Sequence, residues 1–196
     1  MRTKSVMSKK DKGYLEGQML VATPNVMGGG FKQSVILMCA HSEEGAMGII
    51  VNQTLPDVDY ADLFNQFDLP KDNIDSSLSV NYGGPVEVNR GFVIYRHEDE
   101  FLDEAMITMG DMAISGSIDL LKKIAEGKGP KERILALGYA GWSPNQLEDE
   151  IEDNSWISVP VDSDLIFDTN NDSKWHRVSF GNGIDLTKLS TVAGHA

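Results

Sequence analysis

The longest uninterrupted apolar run in this 196-residue chain is Val35 to Ala40, six residues. A helix that crosses a bilayer needs about 20 apolar residues in succession, so no such span is predicted. Short apolar runs closed by turn-forming residues read instead as buried strands. Gly17 to Thr23 (GQMLVAT) is one, closed by Pro24. Ser34 to Ala40 and Ala46 to Val51 are separated by the polar segment His41 to Gly45, a spacing that predicts a hairpin. Period-2 alternation then puts Val35, Leu37, Cys39 and His41 on one face, which makes Cys39 a packed small hydrophobe. Leu78 to Tyr82 and Gly91 to Tyr95 flank Gly83-Gly84-Pro85 and read as strand, tight turn, strand. Arg133 to Tyr139, Ser155 to Val159 and Asp164 to Phe167 are read as further strands.

Helical periodicity enters between these runs. Tyr60, Leu63, Phe64 and Phe67 share a face of a helix over Asp59 to Phe67, with Asp57 or Asp59 to cap it and Pro70 to end it. A second helix is predicted over Ser117 to Glu126, capped by Ser115 or Ser117, with Ile118, Leu121, Ile124 and Ala125 as its apolar stripe and Gly127 at its left-handed end. Ser143, Pro144 and Gln146 fit a capping box for a third helix, which starts directly after the Arg133 to Tyr139 strand. Glu148, Asp149 and Glu150 fall early in it, where the helix dipole favours negative charge. Asp172 to Phe180 predicts a short helix ending at Gly181. Strands and helices mixed without regular βαβ alternation imply an α+β fold with a mixed, largely antiparallel sheet flanked by helices.

Hydrophobic residues make up 41% and charged residues 24%, an ordinary globular balance. The expected organisation is a flexible basic tail over residues 1–13 and one domain over 14–196. No apolar core of a signal peptide follows Arg2, Lys4, Lys9, Lys10 and Lys12, and a single cysteine suits a reducing compartment, so a cytoplasmic location is expected. The formal charge is −13; without residues 1–12, which hold those five basic residues and Asp11, it is −17. That sign repels phosphate backbones and disfavours direct nucleic-acid binding.

Three segments set polar residues beside glycine at strand ends, where sites are commonly built. In His41 to Asn52, His41 with Glu43 and Glu44 offers acid/base groups, whereas a solvated hairpin turn is the simpler reading, and Asn52 reads as a turn-former bonding its own backbone. In Gly83 to Arg90, Gly83 and Gly84 permit close backbone or ligand approach, and Arg90 can grip a carboxylate or phosphate, or be an ordinary surface arginine. In Gly138 to Glu150, Gln146 and Glu150 sit one helical turn apart beside Trp142, as a polar patch on an aromatic wall or as a cap and a packed indole. The candidate binding residues are therefore His41, Asn52, Gly83, Gly84, Arg90, Trp142, Gln146 and Glu150. Met27 to Gly30 (MGGG) lacks the Gly-Lys-Ser/Thr that would make it a phosphate loop. There is no Gly-x-Ser-x-Gly elbow and no His-Glu-x-x-His, and His41, His97, His176 and His195 show no ligand spacing. No catalytic set, metal or cofactor is predicted.

Several blocks in one order carry a resemblance: GQMLVATP (Gly17 to Pro24), FKQSV (Phe31 to Val35), His41 with GAMGIIVN (Gly45 to Asn52), GGPV (Gly83 to Val86), GYAGW (Gly138 to Trp142), QLEDEI (Gln146 to Ile151), Trp156, Phe167-Asp168, Trp175 and Gly183 to Asp185. From about Leu15 to Ala196 the chain resembles the AlgH/YqgE family of bacterial proteins, whose function is unresolved and which are often labelled transcriptional regulators. The resemblance implies a bifurcated sheet curled into a pseudo-barrel with helices around it, and brings no catalytic residues or cofactor. Gly28 stands where the family commonly has aspartate, and Asn145 where it frequently has glycine. The expected role is a regulatory or adaptor domain that binds a protein or small ligand near Gly83-Gly84 and Gly141-Trp142. The alternative is a hydrolase-like enzyme with a site near His41, Arg90 and Glu150.

Overall fold

A computed structural model describes residues 13–66, 69 and 79–181. The tail expected over 1–13 lies almost wholly outside these residues, as do Phe67, Pro70, Leu78 and the Gly183 to Asp185 block.

Among the described residues ten strands form one sheet: β1 (Gln18–Ala22), β2 (Val35–Ser42), β3 (Gly45–Ile50), β4 (Thr54–Asp59), β5 (Ser79–Tyr82), β6 (Val86–Arg96), β7 (Ile107–Met109), β8 (Met112–Ser115), β9 (Arg133–Trp142) and β10 (Trp156–Pro160). The helices are α1 (Tyr60–Gln66), α2 (Ile118–Ala125), α3 (Gln146–Glu152), α4 (Ser163–Asp168) and α5 (Asn171–Gly181), with a 3₁₀ turn at Asp99–Glu104. The main path runs β10-β1-β2-β3-β9-β6-β8-β7, with β5 on β9 and β4 on β5 as a branch. Every described pairing is antiparallel except β5 with β9. The sheet is mixed, largely antiparallel and bifurcated, and it does not close into a barrel.

The branch lies within β9. Its N-terminal half pairs with β6 on one edge and with β5 on the other, Asn81 opposite Ala136 and Tyr82 opposite Leu137. Its C-terminal end pairs instead with β3, Gly48 opposite Ala140 and Ala46 opposite Trp142. Gly83 sits at the fork: its N–H donates to Leu137 O (2.8 Å) and its carbonyl accepts from Ile50 N–H (2.9 Å), so one peptide ties β9 to β3. The backbones approach too closely for side chains. A Cβ on Gly84 would lie 2.1 Å from the Tyr139 carbonyl carbon, and one on Gly138, whose φ is +73°, 2.3 Å from Gly84 O. Consequently the strand, turn, strand predicted about Gly83-Gly84-Pro85 does not pair its two strands: β5 and β6 occupy opposite edges of β9, which is inserted between them.

The sheet folds around one apolar layer that takes Val21 and Leu37 from β1 and β2, Phe92 and Ile94 from β6, and Trp175 and Val178 from α5. The outer face of one half packs Ile36, Ile50, Trp142 and Trp156 under Leu147 of α3. The outer face of the other half packs Val93, Tyr95 and Leu135 under α1 and α2. Among the described residues no helix is long and apolar enough to cross a membrane.

Local chemistry accounts for the remaining differences. Asp164 to Phe167 belongs to α4, because Asp162 Oδ1 accepts from Leu165 N–H (3.0 Å) and starts a helix where a four-residue run is too short to decide its own period. β9 continues three residues past Tyr139 to Trp142. In α2 it is Leu120, not Ile118, that is buried. Asp59 caps α1 through Asp62 N–H (2.8 Å), and Ser117 caps α2 through Asp119 N–H (3.1 Å). Cys39 is buried, and burial pushes its thiol up to about 12, an inert group.

Replacing Gly138 by alanine is expected to cost about 3 kcal/mol or more in chemical denaturation, from left-handed strain plus overpacking against Gly84. Gly116→Ala, whose nearest neighbour would be Gly91 O at 3.8 Å, is expected to stay within about 0.5 kcal/mol of the parent. Equal effects would contradict this account of the fork.

Candidate functional site

His41 lies inside β2 instead of in the turn that follows it, and the alternation expected for it fails for a definable reason. The β2–β3 register slips between Met38, opposite Gly48, and Ala40, opposite Met47. One extra residue at this bulge reverses the face of everything after it. Cys39 therefore packs in the central layer, while His41, opposite Ala46, turns to the α3 side. There His41 is buried, with both ring nitrogens engaged: Nδ1 accepts from Leu15 N–H (3.1 Å) and Nε2 meets Glu148 Oε1 (2.9 Å). An acceptor at Nδ1 places the proton of the neutral ring on Nε2, which donates to the carboxylate.

Glu150 on α3 is the centre of the third segment. Its Oε2 accepts from the indole N–H groups of Trp142 (2.8 Å) and Trp156 (2.7 Å), and its Oε1 from Gln146 Nε2 (2.9 Å). The two indoles meet edge to face at 6.1 Å, and Phe31 stacks its edge on Trp156 at 5.9 Å. Gln146 Oε1 in turn accepts from Ser143 N–H (3.0 Å), the glutamine half of the predicted capping box. The other half is replaced by a turn. Gln146 N–H donates to Ser143 O (3.1 Å), and Asn145 at φ 65°, ψ −7° occupies the left-handed corner of a type II turn after Pro144. Asparagine tolerates that corner nearly as glycine does, so this departure from the family pattern preserves the backbone.

The second segment forms an arch. Val86 is opposite Tyr139 and Gly91 opposite Leu137, so Glu87 to Arg90 stand against the single residue Gly138 and project outward. All four are exposed, Val88 by 51%. Arg90 Nη1 pairs with Glu87 Oε2 (3.0 Å), and its guanidinium lies over the Phe92 ring at 5.1 Å. The arch adjoins the third segment, because a Cβ on exposed Gly141 would lie 3.7 Å from Val86 Cγ2. Asn52 stands apart at the far end of β3. Its Oδ1 accepts from Val35 N–H (2.7 Å) and its Nδ2 donates to Gln33 O (2.9 Å), so it braces a distant turn and does not bond its own backbone.

The structure thus joins His41, Trp142, Gln146 and Glu150 through α3, and Gly83, Gly84 and Arg90 through β9. Among the described residues no group of three or more His, Cys, Asp or Glu is placed to hold a metal ion.

A polar cleft of about 350 Å³ between β5, β9 and the start of α5 was not legible as a site. At its floor Lys174, only 2% exposed, donates from Nζ to Val51 O (2.9 Å) and Asn171 Oδ1 (2.8 Å). Burial pushes its ammonium down to about 8. Asn171 Nδ2 donates to Asn81 Oδ1 (2.9 Å) and Thr54 Oγ1 (2.9 Å), linking the helix to the branch strands. Arg133, also in the lining, has a buried Nε without a hydrogen-bond partner. The available signal was a lysine standing in the buried stripe of α5, beside Trp175 and one turn before Val178.

Glu150→Ala leaves two buried indole N–H groups without an acceptor, so a loss of about 2–4 kcal/mol is expected in urea unfolding. Tryptophan emission should shift in the folded state. A variant with parental stability and an unchanged spectrum would show that the carboxylate does not hold the indoles.

Known proteins share this fold. The sequence profile described as AlgH-like matches residues 19–187. A UPF0301 protein of Nitrobacter hamburgensis is 46% identical over 194 residues, covering 95% of this chain and 89% of its own length. A UPF0301 protein of Paracoccus denitrificans is 43% identical over 184 residues, covering 93% and 97%. The solution structure of the AlgH protein from Pseudomonas aeruginosa superposes with a TM-score of 0.74 at 32% identity over 100% of both chains. A crystal structure of a Corynebacterium diphtheriae protein, 21% identical and covering 91% of this chain and 92% of its own, shares the fold at a TM-score of 0.72. The chain belongs to the AlgH-like family.

Proposed function

We propose that this domain is a cytoplasmic regulatory or adaptor module that recognises a protein partner through the rim formed by the Pro85–Arg90 arch, Gly141 and the Ser143–Asn145 turn. One observation carries the reading: the polar side chains gathered at α3 make their hydrogen bonds inside the molecule. Both nitrogens of His41, both ends of Gln146 and both oxygens of Glu150 are engaged, so the cluster holds a surface in place and leaves no free base beside a nucleophile. The arch above that scaffold is preorganised by the Glu87–Arg90 pair and the Phe92 ring, and it offers Val88 as an apolar contact. The neighbouring acids of α3 favour a basic partner surface. The formal charge of −13 weighs against regulation by direct contact with nucleic acid.

The test is quantitative in-cell cross-linking with the parent chain and the double variant Val88→Asp, Arg90→Glu. The reading expects one or more proteins cross-linked at the arch at least about fivefold more by the parent than by a variant that melts at the same temperature. Equal recovery by both proteins, or nothing cross-linked above background, would remove the arch as a recognition surface.

A further inference from the structure

The geometry points to a binding site for a small oxyanion, a phosphate or carboxylate group, in the cleft over Lys174. Three observations converge there. Lys174 lies at the floor of the cleft, and its two hydrogen bonds go to neutral oxygens, Val51 O and Asn171 Oδ1. Among the described residues no carboxylate pairs with it, whereas a buried ammonium is ordinarily matched by one. An ammonium has three donors, and two are used.

Arg133, in the same lining and beside the Tyr60 side chain, has a buried Nε without a hydrogen-bond partner. A buried guanidinium N–H left unmade is costly, and an anion supplies the acceptor. The rest of the lining adds the hydroxyl of Ser79 and the second N–H of the Asn81 amide, whose first donates to Val51 O (3.2 Å), whereas the Asn171 amide is already used by Asn81, Thr54 and Lys174. The volume of about 350 Å³ accommodates a small metabolite and not a polymer. In a chain of charge −13, the cleft sets two cations, Lys174 and Arg133, against one lining carboxylate, Asp172, so its local field opposes the global repulsion of an anion.

The titratable groups lining the cleft are Lys174 and Asp172 from α5, Arg133 from β9 and Tyr60 from α1. Burial pushes Lys174 down to about 8 and Tyr60 up to about 12. An anion beside Lys174 favours its charged form and reverses part of that shift. Near pH 8, where about half of the free lysine is neutral, binding therefore takes up protons; at pH 6, where the lysine is already charged, it takes up none. The site is independent of the arch: the two are formed by different residues, and either can fail alone.

The experiment titrates the full chain, ¹⁵N-labelled, with sulfate, inorganic phosphate or succinate at constant ionic strength, alongside Lys174→Met and Arg133→Gln. Saturable amide shifts confined to residues around Asn81, Asn171 and Lys174 are expected, with affinity weakened at least about tenfold in each variant. Preference for sulfate and phosphate identifies a phosphate-type ligand, and preference for succinate a carboxylate-type one. Calorimetry of sulfate binding in two buffers of different ionisation enthalpy should show proton uptake at pH 8 and none at pH 6. Should Lys174→Met fail to fold, Arg133→Gln decides. The double arch variant should bind the same anions as the parent. No saturable shift with any of the three anions, or parental affinity in the folded variants, would overturn the assignment.

Discussion

Everything distinctive in this fold depends on the contact between two stretches of backbone, Gly83-Gly84 and Gly138-Tyr139, that only glycine lets approach so closely. Hydrogen bonding lets a strand have one neighbour on each edge, yet β9 exchanges β5 for β3 on a single edge within a few residues. The exchange requires a peptide that bonds both ways at the fork, and Gly83 supplies it through Leu137 O and Ile50 N–H. It also requires that nothing occupy the space between the chains, where a Cβ on Gly83, Gly84 or Gly138 would sit 2.1–2.3 Å from a carbonyl atom, far inside van der Waals contact. The cleft over Lys174 lies on the β5 side of that fork, and the arch is the slack that β6 takes up opposite Gly138.

This arrangement explains how legible the fold was. The hairpin of β2 and β3, the caps at Asp59 and Ser117, and the helix over Asn171–Gly181 follow from local periodicity and capping, which a sequence displays directly. The glycine pair Gly83-Gly84 was visible as a place of close backbone approach, but its partner was not, because the approach is to residues more than fifty positions away. A tight turn was the nearest local explanation, and it put β5 and β6 side by side. Likewise a bulge at Cys39–Ala40 leaves no mark in the apolar run of β2, so the alternation carried His41 to the wrong face.

The site residues show the same division. Trp142, Gln146 and Glu150 were found together because helical spacing and the capping pattern place them within a short segment. That Glu150 serves two indoles, one of them from β10, depends on a strand pairing that spacing does not encode. Lys174 was missed because a single lysine in a weakly amphipathic helix is ordinarily solvated. Only the tertiary structure gives it the Val51 carbonyl, left available where β3 ends and β5 enters, as its acceptor. In physical terms the chain uses its conspicuous polar residues to brace the α3 face, and keeps its least conspicuous cation in the cleft.

The fork is tested most directly by native-state hydrogen exchange of two amides, Ile50 and Gly83. If their bonds to Gly83 O and Leu137 O join the two arms of the sheet, both should exchange only through global unfolding, as slowly as Leu37 and Ile94 in the central layer. Rapid exchange of either amide by local opening, while the central layer stays protected, would mean that the arms are not held together at the glycine contact.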